Sequence, residues 1–311
     1  AAMVLHNLRA DIAIDLKGHT HDARPGILAY RPAPIQASYL GYPGTMGVPF
    51  IDYIIADKIV APFEHQAFYT EKIVHLPDCY QVNDTKRTVA ERTPTRRETG
   101  LPEKGFVFCC FNQNWKITPD VFGVWMRLLH AIDGSALWLL HHNETAELNL
   151  RNEAQARGID PARLVFAPRL PSEDHLARHR LADLFLDTLP YNAHTTASDA
   201  LWVGLPVVTQ LGEAFAGRVA ASLLNAIGLQ GLVTRDIADY EALALQLAKD
   251  PILLEDYRNR LNANRLTHPL FATDRFRRHI ETAYLQMWES WQRGEQPRSF
   301  GVESEGVCTP Q

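Results

Sequence analysis

Apolar positions follow two rhythms along this chain: short unbroken runs, and longer stretches with apolar residues three or four apart. The first rhythm predicts buried strands and the second predicts helices. The alternation is clearest after residue 105. Phe106 to Phe111 is a strand-length run. Pro119 to Ile132 places Val121, Val124, Trp125, Leu128 and Leu129 on one helical face. Ala136 to Leu140 is again a run, and Glu144 to Arg157 is a helix closed by Gly158. Leu164 to Phe166 is a third strand, and Ser172 is the expected N-cap of the helix that follows. Ala182 to Leu186, a helix over Ala197 to Val203, and Val207 to Thr209 continue the series. Helices follow over Ala214 to Ala226, Tyr240 to Lys249, Ile252 to Asn264 and Asp274 to about Gln292. About five strands alternating with helices predict a doubly wound parallel α/β domain.

The first part of the chain reads as four more strands: Ile12 to Leu16, Ala37 to Leu40, Tyr53 to Ala56 and Ile73 to Leu76. Ala1 to Arg9 reads as the end of a helix, and Pro62 to Tyr69 as a short one. Four strands make an incomplete lobe of the same class, so further strands are expected upstream, packing on Ile12 to Leu16. The glycine-rich loop Gly41 to Gly47 admits two readings, close backbone approach by a ligand or a plain turn. Asp84 to Arg97 carries seven charged residues and Pro94, and reads as an exposed connection. The expected division is a first lobe over 1–80, a connection over 81–105, a second lobe over 106–293 that includes the C-terminal helices, and a disordered polar tail over 294–311. Two such lobes facing each other would leave a cleft for a small ligand.

Charge and composition narrow the functions. A net charge of −5 with no dense Lys/Arg stripe disfavours a nucleic-acid binder. No apolar stretch reaches membrane-spanning length, and no signal peptide opens the chain. Cys79, Cys109, Cys110 and Cys308 form no CxxC pair, so a reducing cytoplasm is the simplest setting. His19 and His21 lack a third ligand, and no metal site is expected.

The chemistry-bearing residues fall where the strands of the second lobe should end. Gln113 and Lys116 follow the first strand, His175 and Arg178 the third, and His194, Thr195, Thr196 and Asp199 the fourth. Strands of a parallel sheet share one carboxyl edge, so these loops should converge. A helix starting at Thr195 and Thr196 offers free N–H groups, two hydroxyls and a positive dipole end to a phosphate. Asp199 could take two ribose hydroxyls. N-capping by either threonine would explain the same residues. The set suits a nucleotide diphosphate, while the absence of GxGxxG, GxxxxGK[ST] and D-x-D disfavours a Rossmann dehydrogenase, a P-loop ATPase and a metal-held diphosphate.

Three long motifs, RPAPIQASYLGYPGTMG (Arg31 to Gly47), FNQNWKITP (Phe111 to Pro119) and DTLPYNAHTTASDALWVGLPVVT (Asp187 to Thr209), resemble the O-GlcNAc transferase family, including its bacterial members and the plant SPINDLY branch. GEAFAGRVAASLL (Gly212 to Leu224) and YLQMWESW (Tyr284 to Trp291) fit as well, and the resemblance runs over nearly all of residues 10 to 293. It implies a GT-B fold of two Rossmann-like lobes, the first incomplete in this chain. It also implies an inverting, metal-independent transferase that moves GlcNAc from UDP-GlcNAc to Ser or Thr of proteins, with TPR repeats upstream. Gln113 and Lys116 would touch the diphosphate, with Lys116 as leaving-group stabiliser. His175 would stack on uracil beside Arg178, and Thr195 and Thr196 would hold phosphate oxygens near His194. Asp199 would bind ribose, and Leu40 and Gly41 would help form the sugar pocket. Two positions depart from the family: Ser172 where a lysine is usual near the ribose, and Tyr191 where cysteine is frequent. The first-lobe histidines of the family have no match after Ala1. A SPINDLY-type O-fucosyltransferase using GDP-fucose, and a catalytically silent nucleotide-binding scaffold, are the alternatives.

Overall fold

The computed structural model describes residues 1–304. The chain opens with α1 (Ala2–Asn7) and then lays down β1 (Ile12–Asp15), β2 (Ile35–Tyr39), β3 (Tyr53–Asp57) and β4 (Lys72–Leu76), each parallel to the next. Every residue of β2 and β3 is buried, as expected of a parallel sheet covered on both faces. The expected short helix at Pro62 to Tyr69 is a 3-10 turn over Phe63–Phe68.

The second unit begins at Asp84. Its elements are β5 (Val107–Cys110), α2 (Pro119–Ala131), β6 (Ala136–Leu140), α3 (Glu144–Ala156), β7 (Leu164–Ala167), α4 (Ser172–Arg178) and β8 (Leu184–Leu186), followed by α5 (Thr195–Trp202), β9 (Val207–Gln210), α6 (Val219–Ala226), β10 (Val233–Thr234), α7 (Ile237–Lys249) and α8 (Pro251–Asn264). The six strands are parallel, in the order β10-β9-β8-β5-β6-β7. Trp125 and Tyr240 are fully buried under it, and the Trp125 Nε1–H donates to the Tyr240 hydroxyl at 3.2 Å. β10 has only two residues, too few to register as an apolar run in the sequence.

Several expectations change here. Ser172 is not an N-cap. Pro171 holds that place with extended backbone (φ −51°, ψ 152°), and Ser172 is already helical. The helix expected from Ala214 starts at Val219, after a 3-10 turn over Phe215–Gly217. Most of the expected connection belongs to the second unit. Ala90 N–H donates to the Glu173 carbonyl at 3.2 Å, Arg180 reaches the Ala90 carbonyl and Thr93, and Leu101 is buried. Much of the charged segment is exposed, Asp84, Lys86, Glu91, Arg92 and Arg97 among it, while Arg87 and Arg96 tie it to Asp199 and Asp183 of the second unit.

From Pro269 the chain rejoins the first unit, where 106–293 had been expected to form one lobe. α9 (Thr273–Gln292) packs on it: Phe276 stacks on Tyr39 at 6.3 Å, and Arg275 makes two hydrogen bonds to Asp78, at 2.6 and 2.9 Å. The polar tail is not wholly unstructured either. β11 (Phe300–Gly301) pairs in parallel with β4, giving the sheet order β1-β2-β3-β4-β11. Ile73 N–H donates to the Ser299 hydroxyl and Val302 N–H to the His75 carbonyl. This pairing uses backbone atoms, which side-chain polarity does not report. Residues 305–311, including Cys308, lie outside the described residues. No helix among those described is long and apolar enough to cross a membrane.

Candidate functional site

In the second sheet, the strand that comes first in the chain, β5, lies in the middle. The chain winds one way through β6 and β7, then crosses to β8, β9 and β10 on the other side. The reversal falls between β5 and β8, and ligands of open α/β sheets bind beyond the carboxyl ends at such a point. A pocket of about 390 Å³ lies there. The loop after β5 contributes Phe111, Asn112, Gln113 and Lys116 to its wall. The segment after β7 contributes Arg169, Leu170, His175 and Arg178, and the start of α5 contributes His194, Thr195 and Thr196. Seven of the residues singled out in the sequence are thereby brought together.

Asn112 staples two of these loops and was missed by the sequence reading. Its Nδ2 donates to the Thr188 hydroxyl at 2.7 Å, and its Oδ1 accepts from the Thr196 hydroxyl. Its place beside the reversal follows from the strand order, which local sequence does not report. Thr188 in turn donates to the Tyr191 carbonyl at 2.7 Å. Neither Thr195 nor Thr196 caps α5. The N-cap is His194, without a side-chain cap bond, so the first-turn N–H groups keep their capacity for an anion.

Lys116 is partly buried beside these groups. Its Nζ donates to the Asn192 carbonyl at 2.8 Å and lies 4.0 Å from the centre of the Tyr191 ring. Burial pushes its pKa down to about 8. Tyr191 stacks on His194, with ring centres 5.0 Å apart. Gln113 is exposed at the loop's turn.

His175 and Arg178 share a cluster. The Arg178 guanidinium hydrogen-bonds to the His175 Nδ1 and donates to the Pro168 carbonyl at 2.5 Å, and it lies 4.7 Å from the Phe111 ring centre. Only 1% of Arg178 is exposed, and burial holds its pKa down to about 10. Burial, then the Arg178 charge, pushes His175 down to about 4, so its ring is neutral at pH 7 and acts as a flat apolar surface.

Asp199 is not brought to this pocket. Its carboxylate forms an ion pair with Arg87, from the segment that the sequence reading left as an exposed connection. Burial raises the Asp199 pKa, and Arg87 opposes the rise. Arg87→Ala should therefore destabilise the protein by about 2 kcal/mol at neutral pH, as expected for a partly buried carboxylate left alone. An acid with a raised folded-state pKa contributes stability at low pH and loses it as pH rises through that pKa. The deficit should thus shrink on acidification, which urea unfolding at about pH 5 and pH 7.5 would detect. Equal deficits at both would remove Asp199 as the cause.

Leu40 and Gly41 belong to the first unit. Leu40 has φ +66°, and a Cβ on Gly41 would sit 2.0 Å from the Leu16 carbonyl oxygen, so this loop requires glycine for its own close packing.

Two parallel-sheet α/β units, the second with a pocket at its strand-order reversal, are the architecture of GT-B glycosyltransferases. The chain belongs to glycosyl transferase family 41, whose model matches residues 1–93 and 89–280. It is 40% identical over 307 residues to the Arabidopsis thaliana protein named probable UDP-N-acetylglucosamine--peptide N-acetylglucosaminyltransferase SEC, covering 97% of this chain and 31% of that protein. It is 34% identical over 306 residues to the SPINDLY protein of Eustoma exaltatum subsp. russellianum, which carries the same probable activity in its name, covering 97% and 33%. Among solved structures, a mutant of the Thermobaculum terrenum O-GlcNAc transferase superposes with a TM-score of 0.85 at 31% identity, covering 94% of this chain and 56% of that one. The chain spans about a third of the length of these curated relatives.

Proposed function

We propose that this chain forms the donor-binding part of an enzyme that moves N-acetylglucosamine from UDP-GlcNAc to Ser or Thr hydroxyls of proteins. The observation that carries the reading is the meeting of Lys116, the uncapped start of α5 and the His175–Arg178 cluster on one pocket. The ammonium and helix N–H groups suit a diphosphate, and the neutral imidazole suits a pyrimidine face. The acceptor hydroxyl attacks the anomeric carbon from the side opposite the diphosphate. The bond to the β-phosphate oxygen breaks, and UDP leaves with the electron pair, so the configuration inverts. Charge neutralisation falls to Lys116, Thr195, Thr196 and α5, with no metal required. Gln113 sits at the edge of the same pocket as a further diphosphate contact. The base belongs to an upstream segment of the enzyme, which also carries TPR repeats for the acceptor. The buried thiols of Cys109 and Cys110 fit a cytoplasmic setting.

The test is a calorimetric titration with UDP and GDP, followed by turnover of UDP-GlcNAc on a Ser/Thr peptide in the full-length enzyme. UDP should bind and GDP should not, and His175→Ala should cost about 1–3 kcal/mol of UDP affinity, the range for a base-stacking contact. Preference for GDP would move the reading to a fucosyl donor. Binding without turnover would leave a silent scaffold.

A further inference from the structure

We infer that Asp187 is the positioning residue for Lys116, and that the two form an ion pair bridged by a single peptide group. The inference rests on the pocket being the donor site, and it adds a residue that sits behind that site rather than in it. Lys116 Nζ donates to the carbonyl of Asn192 at 2.8 Å. The next N–H along the chain, that of Ala193, donates to Asp187 Oδ1 at 2.5 Å. That carbonyl and that N–H are the two ends of one peptide plane. Its dipole turns its negative end to the ammonium and its positive end to the carboxylate, so each charge strengthens the other's hydrogen bond.

The carboxylate is built into place. Asp187 directly follows β8 and is fully buried. Oδ1 also accepts from Thr188 N–H at 2.7 Å, and Oδ2 accepts from the Thr209 hydroxyl on β9 at 2.6 Å. Burial raises its pKa most strongly; the three donors and the Lys116 charge oppose that rise, and the balance leaves it raised to about 7. The other titratable groups facing it are Cys110 on β5, pushed up to about 12, and Tyr240 on α7, also raised. Both are neutral near pH 8. The Tyr240 hydroxyl bonds the backbone carbonyl of Asp187 at 2.9 Å rather than its carboxylate. Around Lys116 stand the rings of Tyr191 and Trp115, with His194 stacked on Tyr191.

This arrangement meets a conflict of charges. A half-buried lysine tends to shed its proton, and an adjacent carboxylate would keep it charged but would repel a diphosphate. Relaying the carboxylate through a peptide plane keeps the ammonium charged while the anion stays out of the pocket.

The experiment measures Lys116 directly. Trace labelling of its amine with acetic anhydride across a pH series, read by mass spectrometry on nucleotide-free protein, gives its titration without reference to any ligand. In Asp187→Asn that titration should move down by about one pH unit, the smaller end of the shift for an opposite charge nearby. UDP affinity should then be almost unchanged at about pH 6 and roughly fivefold weaker at about pH 8, because a pKa moved from about 8 to about 7 lowers the charged fraction there from about a half to about a tenth. Thr209→Val, which removes one donor to the carboxylate, should move both profiles the same way by less. It carries the test if Asp187→Asn does not fold. Titration profiles that stay in place, with affinity lost equally at both pH values, would reduce Asp187 to a structural residue and overturn the inference. If wild-type protein fails to bind UDP, the donor reading falls, while the labelling profile still judges the pair.

Discussion

Lys116→Ala should lower turnover by about two to three orders of magnitude, roughly 3–4 kcal/mol of barrier, while UDP-sugar affinity falls much less. Negative charge grows on the bridging oxygen as the sugar bond breaks, so an ammonium fixed there acts more strongly on the transition state than on the ground state. Its position is set by the Asn192 carbonyl at 2.8 Å and by the Tyr191 ring under it. Lys116→Arg should rescue only in part, because a planar fork does not fill the place of a point charge. With a pKa near 8, the empty enzyme should also lose UDP affinity as pH rises through that value. Steady-state kinetics of the full-length enzyme decides the role. A loss of affinity that accounts for all the lost activity, with turnover intact at saturation, would make Lys116 a binding residue only.

Arg178→Met should leave stability unchanged or raise it, and should weaken UDP binding by about 10- to 100-fold, the worth of a hydrogen bond from a charged donor. Arg178 is a buried cation whose partners among the described residues are a carbonyl, an imidazole nitrogen and aromatic rings, with no carboxylate bonded to it. Its Nε has no hydrogen-bond partner among the described residues. Such a charge is costly to bury, and apolar replacement of similar volume commonly costs nothing. Keeping it against that cost fits a site completed by an electronegative ligand. Urea midpoints and UDP titrations on the same samples test both halves. A variant that unfolds easily yet binds UDP normally would assign Arg178 to packing alone.

Much of the fold was legible because parallel strands buried on both faces announce themselves as apolar runs, and β5, β6 and β9 did so. Lys116, His175, His194, Thr195 and Thr196 were legible as pocket residues because carboxyl ends of parallel strands must share an edge. The ion pair of Asp199 was not legible, since a carboxylate one turn into a helix looks the same whether it faces a ribose or an arginine, and Arg87 lies more than a hundred residues earlier. Asn112 and Asp187 were silent for a related reason. Their roles lie in bonds to Thr188, Thr196 and Ala193, and such pairings follow from the strand order, which local sequence does not encode. β11 was hidden because its pairing with β4 is made by main-chain atoms.

The return of α9 and β11 to the first unit sets a timetable for synthesis. A ribosome releases chain from its N-terminus, and domains ordinarily complete themselves in that order. Here residues 1–83 emerge before the second unit, but the helix that covers Tyr39 and the strand that flanks β4 emerge after it. The later-made unit, from Asp84 to His268, has all its strands in hand while the earlier one still waits. Released chains truncated near residue 270 should therefore carry a protease-resistant second unit and a cleavable first one.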